Sequence, residues 1–209
     1  MDPDYESLVG LERLQTLDMK LNNIQRVPPG FFCPLKNLVQ VDFSFNALKD
    51  LTLLGLGHGK NTPDEFKCNI PVQSLRLQNN GLVTVTPGAL GAMASLKHLD
   101  LSYNKVDVLV ASTFQDLTQL ETIDISNNRL AAIPPNIFEF TPNLRTLILA
   151  NNTLGTIDIQ VFQNLSGLQT LNMSGNNLDE NWIRPGIFAG IKWFQCRILW
   201  LSRENSVNV

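Results

Sequence analysis

LKHLDLSYN from Leu96, LETIDISNN from Leu120, LRTLILANN from Leu144 and LQTLNMSGN from Leu168 are one string written four times at a spacing of 24 residues. The pattern is LxxLxLxxN. It recurs as LQTLDMKLN from Leu14 and LVQVDFSFN from Leu38, and in a looser form as VQSLRLQNN from Val72. A fixed period of this length is the mark of a stacked repeat, and it decides the fold before any single residue is weighed.

Numbering positions from the first residue of each string exposes further order. Position 11 is Ile24, Leu48, Leu82, Val106, Leu130, Leu154 and Leu178. Position 19 is Phe32, Phe114, Phe138 and Phe162, with Leu90 in one copy. In a short strand, side chains alternate between faces, so positions 4 and 6 are expected to point inward and positions 3, 5 and 7 outward. One unit cannot bury its own apolar face; stacked units share a continuous core. The expected architecture is an α/β leucine-rich-repeat solenoid. It is a curved horseshoe with a parallel β-sheet on the concave face and an irregular or helical convex side. Asn22, Asn46, Asn80, Asn104, Asn128, Asn152 and Asn176 follow the strands, where the chain turns inward. An amide both donates and accepts, so this column is expected to pair buried backbone groups as a structural ladder.

The organisation follows. Residues 1–13 read as the second half of a truncated repeat, and residues 14–191 as seven repeats starting near 14, 38, 72, 96, 120, 144 and 168. The unit from Leu38 is longer than the others, and its extra stretch, a Gly- and Pro-containing loop at about 52–71, is expected to protrude. Residues 192–209 read as a degenerate strand, with Cys196, Leu199 and Leu201 imitating positions 1, 4 and 6, or as sequence foreign to the repeat, the latter favoured. The start within a repeat implies a fragment without caps. Leu14, Leu17 and Ile24 are then expected to be poorly covered and to drive association.

Composition excludes several classes. The formal net charge is -3 with no basic excess, so nucleic acid is not an expected partner. No apolar run is long enough to span a bilayer, and MDPDYESLVGLERL lacks the apolar core of a signal peptide. Cys33, Cys68, Cys196, His58 and His98 lack metal-ligand spacing, and no metal or cofactor is expected.

The phenylalanines at position 19, the period and the absence of a Gly-x-Ile-Pro signature resemble the typical animal extracellular class of these repeats. More narrowly, four stretches resemble the ectodomain of Toll receptors of the long invertebrate branch that includes eighteen-wheeler and Tollo. They are FFCPLKNLVQVDFSFNAL from Phe31, LLGLGHG from Leu53 leading to Cys68, VQSLRLQNN, and NNLDENWIRPGIFAG from Asn176. The resemblance covers roughly residues 6 to 191. It implies part of a single-pass receptor at the extracellular face of the plasma membrane, acting in innate immune or developmental signalling. The implied partner is a Spätzle-type cytokine or another cell-surface repeat protein. The membrane helix and TIR domain of that family are not in this sequence.

Candidate site residues lie mainly on the expected concave face: Asp18, Asp42, Arg76, His98, Asp100 and Asp124. The acidic column offers steering of a basic ligand, but the common strand text LDLS is the favoured account of it. His98 and Asp100, with Ser74 or Ser126, sketch a pseudo-triad. They lack a buried orienting group and an oxyanion pocket, so no enzyme is expected. Asn151, Asn164 and Asn172 open N-glycosylation sequons. Trp182, Phe188, Trp193 and Phe194 are read as filling a widened last repeat rather than as a partner patch. Cys33 lies on the outer side of one repeat and Cys68 closes the long loop of the next, so a disulfide between them is expected. Two other functions compete: an extracellular adhesion or matrix repeat protein, and an intracellular scaffold or inhibitor, which gives no reason for sequons or a loop cysteine.

Overall fold

Each string becomes a strand of three residues. The computed structural model describes residues 5–56, 68–179, 181, 185–191 and 197–199. The strands are β1 (Thr16–Asp18), β2 (Gln40–Asp42), β3 (Ser74–Arg76), β4 (His98–Asp100), β5 (Thr122–Asp124), β6 (Thr146–Ile148), β7 (Thr170–Asn172) and β8 (Arg197–Leu199). They form one parallel sheet in chain order. The register keeps position 4 in line: Leu17 opposite Val41, then Leu75, Leu99, Ile123, Leu147 and Leu171. The chain is therefore a leucine-rich-repeat solenoid with the parallel sheet as its inner face. Its return segments are irregular. The helical pieces include two 3-10 turns, Tyr5–Leu8 and Leu51–Leu54.

The core is continuous along the stack. In the unit from Leu120, Leu120, Ile123, Ile125 and Leu130 are all fully buried. The position-19 rings form the outer layer: Phe114 stacks on Phe138 at 6.1 Å, and Phe162 on Phe188 at 5.7 Å. Such pairs add about 0.5 to 1.5 kcal/mol beyond the area they bury. Phe188 thus belongs to the core; Trp182, Trp193 and Phe194 lie outside the described residues.

The asparagines join neighbouring repeats. Asn128 Nδ2 donates to Leu101 O of the preceding unit at 3.0 Å, and to Ile125 O and Ser126 O of its own. Its Oδ1 accepts from Val106 N at 2.9 Å. Asn46, Asn80, Asn104, Asn152 and Asn176 repeat the same reach backward. Among the described residues, Asn22 bonds Met19 O and Lys20 O, both of its own unit.

Three features depart from the sequence reading. First, position 7 does not point out in four of the seven repeats: Ser44, Ser102, Ser126 and Ala150 are buried. The strand ends at position 5, so the two-residue alternation stops there. Second, position 8 is left-handed in every repeat. Leu21, Phe45, Asn79, Tyr103, Asn127 and Asn151 have φ between 53° and 58°, and Gly175 has 67°. This turn carries position 7 under its neighbours and aims the following asparagine inward. Third, residues Arg197–Leu199 of the tail pair with the sheet as β8. Ile198, not Leu199, stands opposite Leu171, so position 4 falls one residue earlier than expected. Cys196 and Leu201 lie outside the described residues.

The long repeat is held by one-off contacts. Asp50 caps the 3-10 turn by accepting from Thr52 N at 2.8 Å. Gly55, at φ 60°, closes the turn, and a side chain there would crowd Pro28 and Pro29. Cys33 and Cys68 are joined by a disulfide, with Cα atoms 5.6 Å apart. His58 lies outside the described residues.

Candidate protein-binding face

Side chains at positions 3 and 5 of each strand stand on the inner face of the sheet. Asp18, Asp42, Arg76, Asp100 and Asp124 occupy position 5, with Ile148 and Asn172 completing the column, and His98 occupies position 3. Parallel register brings Arg76 beside Asp42 and Asp100, and Asp100 beside Asp124. The Arg76 guanidinium is 3.7 Å from the Asp42 carboxylate. Around Ser74, Arg76, His98, Asp100, Thr122 and Asp124 the face sinks into an open depression of about 390 Å³.

The acidic column has a local cause in its Asp-x-Ser spacing. Asp42 Oδ1 accepts from Ser44 N at 2.9 Å and from Ser44 Oγ at 2.6 Å. Asp100 makes the same pair with Ser102, and Asp124 accepts from Ser126 N at 2.8 Å. Asn172 does this with its amide oxygen toward Ser174. These side chains cap the chain as it leaves the strand, as short polar residues do at turns. Capping uses one carboxylate oxygen, which leaves the other for the face.

Electrostatics differ along the column. Burial pushes the Asp124 carboxyl up, the Ser126 hydrogen bonds oppose this, and the nearby Asp100 charge adds to the rise. Asp18 is held low, first by the Lys20 backbone N–H and then by the Lys20 side chain.

Among the described residues, Ser74, Ser126, His98 and Asp100 do not come together as the sketched triad. Ser126 is buried, and its hydroxyl accepts from Asn127 Nδ2 at 3.2 Å. Ser74 stands in register with exposed His98, but His98 forms no hydrogen bond with Ser74 or Asp100 among the described residues. The sequons fall in different settings. Asn164 is exposed on a return turn, Asn151 is exposed at position 8, and Asn172 is half-buried in β7.

With this geometry in place, the comparisons define the class. Leucine-rich-repeat family models match residues 70–130, 118–178 and 167–191, and the chain belongs to the leucine-rich repeat family. Such domains are typically not enzymes. Particular relatives are distant. Toll-like receptor 7 of Drosophila melanogaster is 28% identical over 105 residues, covering 50% of this chain and 7% of that protein. Keratocan of Gallus gallus is 31% identical over 111 residues, covering 47% of this chain and 31% of that protein. The chain therefore spans under a third of either relative. Among solved structures, the Toll–Spätzle complex of Drosophila superposes with a TM-score of 0.73 at 25% identity. It covers 94% of this chain and 24% of that one. The leucine-rich repeat domain of APL1B gives 0.64 at 22% identity over 95% of this chain and 60% of that one, a likeness of fold alone.

Proposed function

We propose that this chain is the protein-binding repeat segment of a Toll-type cell-surface receptor. What carries the reading is the superposition on Toll over nearly the whole chain. The Cys33–Cys68 disulfide suits an extracellular setting. The ligand is a protein, of Spätzle-type cytokine or repeat-protein kind, seated on the inner face from β1 to β5. The second carboxylate oxygens of Asp100 and Asp124, and that of Asp42 shared with Arg76, meet its basic groups, while Arg76 and His98 set the register. Glycans at Asn151, Asn164 and Asn172 keep the last two full repeats clear, because a sugar on Asn172 sits on the inner sheet itself.

The test is binding of a cystine-knot cytokine to glycosylated protein. Charge reversal at Asp42, Asp100 and Asp124 weakens it; removing the Asn172 sequon does not. Binding that ignores the first change and follows the second refutes the placement. The likeness to keratocan supports a second reading, an extracellular matrix repeat protein. A full-length transcript with a TIR domain favours the receptor; one without it favours the matrix protein.

A further inference from the structure

We infer that the flank beside the strand ends, around Phe45 and Tyr103, is a second docking surface, and that it takes a segment of a partner protein carrying both carboxylates and apolar side chains. This goes beyond the inner-face reading and does not depend on it.

The first observation is conformational. Position 8 is left-handed in all seven repeats, and four of them place Asn or Gly there, residues that adopt this conformation readily. The other three place Leu21, Phe45 and Tyr103, for which it is strained. The second observation is exposure. Leu21, Phe45 and Tyr103 are 70%, 47% and 57% exposed, so the core gains little from them. An apolar side chain that strains the backbone and also faces water is unfavourable for folding on both counts. Such positions belong to function more often than to packing. The side chains form one row, since Asn151 Nδ2 reaches Asn127 Oδ1 of the neighbouring unit at 3.2 Å.

Charge then selects the occupant. After position 8 the chain alternates: Asn104 and Val106 are buried, while Tyr103, Lys105 and Asp107 face out. From Leu21 to Ala131, these outward positions hold Lys49, Lys105 and Arg129 against a single carboxylate, Asp107. Among the described residues none of the three cations is in an ion pair. Lys49 lies along Gly81, beside the apolar row. The flank is thus basic and apolar where the adjoining inner face is acidic, so one ligand chemistry cannot suit both.

The experiment titrates three synthetic peptides of equal length onto the full 209-residue chain. One alternates Glu with Phe and Leu, one alternates Lys with the same apolar residues, and one alternates Glu with Ser. Fluorescence anisotropy should show the first binding about tenfold more tightly than either other. Phe45→Asn with Tyr103→Asn should weaken it about tenfold, whereas Gln40→Ala with Thr146→Ala, both on the inner face, should not. The double Asn variant should melt no lower than the parent, because Asn already serves at Asn79, Asn127 and Asn151. Equal binding of the basic peptide, unchanged binding to the Asn variant, or a lower melting temperature overturns the inference. Sedimentation showing that the parent dimerises and the Asn variant does not assigns the row to a second copy, and overturns it too.

Discussion

The four repeats that start at Leu14, Leu38, Val72 and Leu96 and the three that start at Leu120, Leu144 and Leu168 share one fold and differ in what they add to it. The first group holds the disulfide, the long loop, Arg76, His98, three of the four strand aspartates and all three bulky residues at position 8. The second group holds Asn127, Asn151 and Gly175 at position 8, Ile148 and Asn172 on the inner face, and every sequon. Core and ladder are common to both, so they supply rigidity and nothing specific. The lesson is that departures from the repeat, not the repeat, mark where this molecule is specialised.

The largest effect is expected from the disulfide. Replacing Cys33 and Cys68 together by Ala frees a span of 35 residues. The loss should be roughly 3 to 4 kcal/mol in the chain-entropy model, read from urea unfolding of oxidised protein. A loss under about 1 kcal/mol would mean that the apolar contacts of the long repeat suffice, and the comparison would lose its covalent element.

Next is the ladder. Asn128→Ala should lower stability by about 2 to 4 kcal/mol, because it strands buried backbone groups of two repeats. Asn22→Ala should change stability by no more than about 0.5 kcal/mol, since Asn22 is exposed and serves one repeat. Equal effects would show that the ladder does not couple units.

A smaller gain is expected at position 8. Tyr103→Asn should stabilise by up to about 1 kcal/mol, by relieving the left-handed strain of a bulky residue. Asn127→Tyr, the reverse exchange in the plainer half, should destabilise by a similar amount. Thermal melts of the two single variants decide this.

The smallest effect concerns pH. The folded Asp124 carboxyl titrates above its unfolded value, so ionising it weakens the fold. Its contribution is most favourable below the unfolded pKa and is lost as pH rises through the folded one. Asp124→Asn should keep the turn cap, as Asn172 does. It should melt slightly higher than the parent at neutral pH, by no more than about 0.5 kcal/mol, with the gain vanishing in acid. Asp18→Asn should show the opposite sign, because Asp18 is held low and its contribution falls away in acid.

Most of the architecture was legible because the period repeats the same physics. Leucines at positions 1, 4, 6 and 11 must be buried, and an amide at position 9 must bond the backbone. The misses have one physical root. A period-2 reading assumes a strand continues, but here it stops after three residues and a left-handed residue follows. Ser44 and Ser102 therefore read as exposed when they are buried. Leu21, Phe45 and Tyr103 gave no warning, since bulky residues seldom mark a left-handed turn. The capping role of Asp42 and Asp100 was written in the Asp-x-Ser spacing and could have been read from it. The register of β8 was not readable, because Ile198 follows Leu171 by 27 residues where the regular units keep 24.

The Cys33–Cys68 bond also has a mechanical meaning. Suppose the molecule is held by its ends and pulled. The ladder and the sheet bonds between units can part, and each regular repeat can then pay out its own length of chain. The covalent link lies across the load and withholds its 35 residues from that release. At about 3.4 Å per extended residue this is on the order of 120 Å of contour that tension alone cannot reach. Under reducing conditions that length returns, so a force–extension trace of this molecule reports the redox state of its surroundings as a step of known size.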